Sequence, residues 1–478
     1  AIFPMVARIL RRNDRFDLAV GGVIVVLIVT IVVTIAGGDS AGVDISAFSP
    51  TGPTAHSTSP IRITFTDRMD TASVESHFGV NPPVEGKFTW SGSVVTFSPK
   101  AALTPGRTYT VTLRSGARNI QGRIITQDRS WTLTIGMPRV VYLAPAVRDR
   151  DFSPPNLWMV DPASPASARQ LTFARTEVID FEPSPDGTRI AYSQRADDGS
   201  GTADIYVLTL DTGEVQAVTR CIQAICQAPD WNPDGIRLAY ERVETARNLA
   251  ASGSGQAEQT RTWLLNLTDL STAPLVSDSQ ALGSEPHWSP DGSSISVYDY
   301  GKRAIVVYDL KSSSAKLIPT QEGLNGVFAP DGSSLVYPDL AQINGLYITR
   351  LWLADLAHPE NGKRPLYPDE NNPTEDQQPA WSPDGTQLAV LRRYLTADGT
   401  IGPQVYTIGF PGGTVKPLVT DPTYTHGAIR WCPNGDQIVM LRRHVPERGD
   451  TPGIWVYNLT TKSLGQIADN GYLPQWVP

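Results

Sequence analysis

From residue 60 to its end the chain alternates apolar and polar residues in short runs, broken by Gly, Pro, Asp and Ser. A period of two is the signature of half-buried β-strands. The first group of runs is PIRITFTD (60–67), GKFTWSG (86–92), SVVTFSP (93–99), TYTVTLRS (108–115) and RSWTLTIG (129–136). Their spacing predicts a small β-sandwich over 47–136. A different pattern precedes them. Leu18–Ala36 is a stretch of 19 residues without a charge. As a helix it would extend roughly 28 Å, the thickness of a bilayer's hydrocarbon, with every backbone group bonded internally. A cleaved signal peptide is the rival reading, although its apolar region is ordinarily shorter. Arg8, Arg11, Arg12 and Arg15 precede the run, and Asp39 and Asp44 follow it. The positive-inside rule then places 1–17 in the cytoplasm, 18–36 in the membrane and everything after a linker at 37–46 outside the cytoplasm. The expectation is a single-pass protein of the cell membrane, in contact with the lipid bilayer through Leu18–Ala36.

Beyond residue 137 the alternating runs become periodic. Six copies of one turn stand at 183–187 (PSPDG), 231–235 (WNPDG), 288–292 (WSPDG), 328–332 (FAPDG), 381–385 (WSPDG) and 431–435 (WCPNG). Self-similarity at this period predicts a propeller or solenoid. Pro presets φ at the second position of a tight turn. Asp186, Asp234, Asp291, Asp331, Asp384 or Asn434 takes the third, and Gly187, Gly235, Gly292, Gly332, Gly385 or Gly435 closes it in the left-handed region. Three more strand-like runs follow each turn, which makes one four-stranded blade per repeat. The stretch 139–172 supplies only a second, third and fourth strand, and LPQWVP (473–478) only a first. Pairing these two incomplete ends closes the ring and removes its free edges, giving seven blades; six is the alternative.

Composition narrows the class. The 478 residues exceed one compact core, and the 79 Gly and Pro with many Val, Ile, Thr, Tyr and Trp indicate a turn-rich β protein. A net charge of −8, with no basic block outside the N-terminus, argues against a nucleic-acid partner. Cys221 and Cys226 stand close enough for a local disulfide. No metal site is expected, since no CxxC pair or nearby His completes a ligand set. Cys432, at a position held elsewhere by Ser, Asn or Ala, reads as a small buried residue.

Two resemblances follow from these residues. FSPTG…ITFTDRMD, VVTFSPKAALTPGRTYTVTL and ARNIQGR…WTLTIG, within 47–136, resemble the bacterial Ig-like domain of the S-layer type, which implies a spacer or adhesive module. The recurring turn, Trp and following strand over 137–478 resemble the TolB-like class of β-propellers. That implies partner binding at the ring face or central channel. Some relatives serve as the non-catalytic half of prolyl-oligopeptidase-type peptidases, but no α/β-hydrolase domain follows here.

Catalytic signatures are missing from the sequence: no G-x-S-x-G, H-E-x-x-H, P-loop or dinucleotide-binding glycine motif occurs. No cofactor is expected. The residue before each Trp-equivalent position falls on the innermost strand. These residues are Glu182, Asp230, His287, Val327, Ala380, Arg430 and Gln475. Glu182, Asp230, His287, Arg430 and Gln475 are the candidate channel-lining residues. Long insertions at 243–261 and 356–379 form a second candidate surface. The expected function is binding without covalent chemistry, to another envelope or membrane protein or as an accessory subunit. A hydrolase or lyase acting on a sugar or peptide in the channel is the alternative.

Overall fold

The structure is a computed structural model. It describes residues 43–50, 52–55, 57, 59–147, 153–244, 260–278, 281–343, 345–358, 362–367, 373–395, 399–445 and 450–478. The first unit is a sandwich of two four-stranded sheets. One runs in the order Ile45–Ser49, Ile61–Phe65, Val94–Pro99, Gly86–Ser91; the other in the order Gly52–Ala55, Arg129–Ile135, Thr108–Leu113, Phe78–Asn81. Alternation decides what lies between them: Ile61, Ile63 and Phe65 meet Val95, Phe97, Val111 and Leu133 in one buried cluster. The first strand begins at Ile45, inside the stretch expected to be a linker. A one-turn feature escaped the period-two reading. Thr71–His77 is a helix, capped by the Asp70 carboxylate, which accepts from the Ser73 N–H at 3.1 Å.

That helix bears on the expected location, which is corrected here. Among the described residues no helix is long and apolar enough to cross a membrane. Thr71–His77 has 7 residues and buries only Val74, and a span needs about 20. Leu18–Ala36 and the segment 1–17 lie outside the described residues. The single-pass arrangement and the bilayer contact therefore have no membrane-crossing element in this structure to carry them.

From Arg139 on, the sheets are built from four-stranded antiparallel units, in chain order except where the last strand joins the first three. Five sheets have four strands. A sixth has eight, and in it a lone parallel pair, Ala203↔Ile225, joins the unit starting at Val178–Pro183 to the unit starting at Ala224–Trp231. The chain ends meet. Tyr472–Val477 pairs with Arg139–Ala144, with Trp476 opposite Val140 and Gln475 opposite Val141. Strand order then fixes two faces. Alternating strand direction puts every turn between first and second strands on one face. Every second-to-third hairpin and every connection to the next unit falls on the other.

Candidate functional site

The repeated turn is held by its own side chains. Asp384 accepts from the Ser382 hydroxyl at 2.6 Å and the Thr386 N–H at 3.1 Å, and Asp291 accepts from Ser289 and Ser293 in the same way. The Ser333 amide holds Asp331, and the Ser382 hydroxyl holds Asp384, below the ordinary carboxylate range. The closing glycines have φ between 64° (Gly187) and 78° (Gly435), where a β-carbon is strained. At the sixth copy Cys432 replaces the serine, and the Asn434 Oδ1 is buried without a partner. The Cys432 thiol is pushed up by burial, as suits an inert core residue.

Three innermost-strand tryptophans bond the preceding sheet: Trp231 Nε1 donates to the Glu182 carbonyl at 2.9 Å, Trp431 to that of Ala380 at 3.0 Å and Trp476 to that of Arg430 at 3.1 Å, whereas the indole N–H groups of Trp288 and Trp381 are buried without a partner. The Arg189 guanidinium lies 4.8 Å over the Trp231 ring, and Arg237 5.1 Å over Trp288. The indole thus clamps neighbouring innermost strands at the residues singled out for the channel.

Those residues form one cluster. Gln475 Nε2 donates to Glu182 Oε2 at 2.7 Å, His287 Nδ1 lies 3.6 Å from Asp230 Oδ1, and the other Asp230 oxygen accepts from the Trp288 N–H at 2.7 Å. Burial pushes Glu182 up to about 8; the Asp230 carboxylate adds to the shift, while Arg430, His287 and the Gln475 hydrogen bond oppose it. Burial pulls His287 down, but the hydrogen bond and charge of Asp230 outweigh it and the imidazole ends above its ordinary value. Arg430 is lowered by burial, against the pull of Glu182. Val327 and Ala380 occupy the equivalent places on their strands and contribute no charge.

A second tier escaped the sequence reading. The innermost strands bulge at Ala228, Glu285, Gln378, Ala428 and Leu473, all with φ between 47° and 50°. Each bulge frees a backbone N–H from the ladder, and three of these are captured by a side chain of the preceding sheet. Ala228 donates to Asp180 at 2.7 Å, Glu285 to Glu241 at 2.6 Å and Ala428 to Gln378 at 2.8 Å. Burial pushes Asp180 up to about 7, against the Ala228 hydrogen bond, and the Glu241 charge adds to the rise. A signal existed: Pro229, Pro286, Pro379 and Pro474 each stand two residues before a Trp. Proline has no N–H for a ladder, so it marks a bulge.

Cys221, in the connection leading to Ala224–Trp231, is joined to Cys226 within that strand, with Cα atoms 6.2 Å apart. Among the described residues no group of three or more His, Cys, Asp or Glu is placed to hold a metal ion. Of the two long insertions, 245–259 and parts of 359–372 lie outside the described residues.

The two faces differ in polarity. Phe173 (80% exposed), Ile401 (73%), Tyr347 (68%), Ile222 (65%), Tyr300, Leu346, Val147 and Leu324 stand on the face of hairpins and connections, against Met137, Val215, Ile236 and Leu270 on the face of tight turns.

A closed ring of antiparallel sheets behind a two-sheet sandwich is a β-propeller carried with an Ig-like domain. Sequence comparison identifies the same two modules: residues 250–473 match the TolB beta propeller domain, and residues 39–134 match the bacterial Ig-like domain. No curated protein matches the chain. Among solved structures the chain is similar to TolB from Acinetobacter baumannii, at 13% identity over 84% of this chain and 83% of that one, with a TM-score of 0.42. It is similar to a Mycobacterium tuberculosis puromycin-hydrolyzing peptidase at 13% identity and a TM-score of 0.51, over 70% of this chain and 52% of the peptidase. It is also similar to oligogalacturonate lyase from Vibrio parahaemolyticus at 13% identity and a TM-score of 0.47, over 69% and 86%. At such identities the likeness is one of fold.

Proposed function

We propose that this chain is a non-catalytic binding protein that engages a protein partner through the loop-bearing face of a seven-bladed ring. The Ig-like sandwich serves as a spacer. The count of seven rests on dividing the eight-stranded sheet at its lone parallel pair, Ala203↔Ile225. The observation that carries the function is the gathering of exposed apolar side chains, Phe173, Ile222, Tyr347 and Ile401 among them, on that one face. Large exposed apolar patches on a rigid scaffold mark protein contacts, and loops on such a scaffold carry recognition. The TolB-like repeat supports the same reading, as a class that works by binding.

A second reading has an observation of its own. Glu182, held up to about 8 beside Asp230, His287 and Arg430, has the perturbed acidity of a general acid or base acting on a sugar or peptide in the channel. One experiment separates the two. The immobilised full chain captures proteins from an extract of its source cells, read by quantitative mass spectrometry. The comparison is with F173S/Y347S/I401S on the loop face and with E182Q/H287Q in the channel. A stoichiometric protein kept by the channel variant and lost by the loop-face variant is expected. A partner lost only with the channel variant overturns the loop-face reading. Turnover of oligosaccharides or peptides that E182Q/H287Q abolishes establishes the enzyme instead.

A further inference from the structure

Away from the channel, the sheets that begin at Ser284–Trp288 and Val327–Phe328 enclose a cavity of about 1090 Å³ between them. Its walls are the outer strand Ser314–Pro319 of the first sheet and, from the second, Tyr337, Asp339, Ala354, Asp355, Leu356 and Lys363. Buried Ile318, Ala354 and Leu356 form an apolar floor.

Two features of the lining are unusual. The Tyr337 hydroxyl and the Thr320 hydroxyl both belong to cavity-lining residues, are 0% and 3% exposed by residue, and have no hydrogen-bond partner. A buried hydroxyl left without a partner is costly, and a pair of them beside one cavity asks for an acceptor within it. The charge of the lining is also inverted. Lys302, Arg303, Lys316 and Lys363 face Asp339 and Asp355, in a chain of net charge −8. Lys302 is paired with Asp299 and Lys363 with Asp339, each at 2.5 Å, and Lys316 donates to the Leu356 carbonyl. Arg303 has no carboxylate partner among the described residues, and its charge faces Tyr298.

We propose that this cavity is a binding site for a small organic anion: a carboxylate on a compact apolar body, its oxygens accepting from Arg303, Tyr337 and Thr320. The apolar body lies on the Ile318, Ala354 and Leu356 floor. The volume is at the upper end of ligand sites, which run from roughly 300 to 1000 Å³. This site is independent of the loop-face reading, and either stands if the other fails.

Fluorine NMR on the full chain tests it, with 4-(trifluoromethyl)phenylacetate and its uncharged amide as probes. The acid is expected to give a saturable shift, with the amide at least about tenfold weaker because it lacks the charge-assisted bonds. R303A, at an exposed position that leaves the fold intact, weakens the acid by about tenfold. Y337F, which keeps the ring's packing, weakens it by about threefold. F173S, on a different connection, leaves it unchanged. The proposal is overturned by the absence of a saturable shift up to about 10 mM, by equal binding of acid and amide, or by indifference to both R303A and Y337F.

Discussion

On one face of the ring, six tight turns repeat nearly the same five residues. On the other, the stretches between second and third strands run from two residues (344–345) to fifteen (245–259) and share no motif. The tight turns have a chemical reason for sameness. Pro, Asp and Gly each satisfy one backbone demand, and at Trp231 and Trp431 the indole before them bonds the neighbouring sheet. The connections opposite need only span a gap, so their composition is free, and there the apolar side chains stand uncovered. Repetition within the chain therefore marks the scaffold, and its lapse marks the surface available for recognition.

That contrast breaks or sharpens under mutation. The largest effect is expected at the seam. Trp476 is buried in the closing strand, opposite Val140, and bonds Arg430 of the preceding sheet, so W476A should cost about 3–5 kcal/mol in urea unfolding. An unchanged midpoint would show that the ring does not depend on its closing strand. On the loop face, C221S/C226S removes a short covalent loop worth roughly 2 kcal/mol. The wild type should lose the same amount when a reductant is added, and indifference to reductant would mean that the bond is not formed in solution.

At Glu182 the effect depends on pH. The folded-state value of Glu182, about 8, lies above its ordinary 4.5. The stability it contributes is full below that lower value and is lost as the pH rises through the higher. E182Q abolishes this loss. After allowance for channel water, it should gain about 2 kcal/mol over the wild type between about pH 5 and pH 9. Parallel pH profiles would place Glu182 in ordinary solvent.

Smaller still is the repair of the irregular turn. C432S/N434D restores the hydroxyl-to-carboxylate bond made at Ser382 and Asp384 and should add about 1 kcal/mol. A loss instead would mean that Cys432 is better packed than a serine there. Smallest is the loop-face triple F173S/Y347S/I401S, which should move stability by no more than about 0.5 kcal/mol. A larger loss would show that those side chains belong to the scaffold after all.

What was legible in the sequence was what local chemistry dictates. The turns could be read because Pro, Asp and Gly act within five residues, and the closure because a missing first strand at 139 has its complement at 473–478. The positions of Glu182, Asp230, His287, Arg430 and Gln475 followed from counting back from each Trp. Their mutual hydrogen bonds did not follow, since these depend on the curvature of the ring. The bulges at Ala228 and Glu285 were announced by the following prolines, but their capture by Asp180 and Glu241 joins residues 48 and 44 apart. The buried Arg392–Asp376 pair, at 2.8 Å, was likewise hidden in a strand whose pattern gives no reason to expect a charge inside. Hydropathy at Leu18–Ala36 reported an affinity for apolar surroundings, and that was too little to establish a location.

The join between Arg139–Ala144 and Tyr472–Val477 also sets a timetable for biosynthesis. The sheet begun first is finished last, after more than 300 further residues have left the ribosome. At ordinary elongation rates that interval is roughly 15–60 s. Throughout it the strand from Arg139 carries an unsatisfied row of amides and carbonyls. A nascent chain stalled short of residue 472 would present that row to its neighbours on the polysome, so chaperone demand should fall most steeply as the strand Tyr472–Val477 emerges.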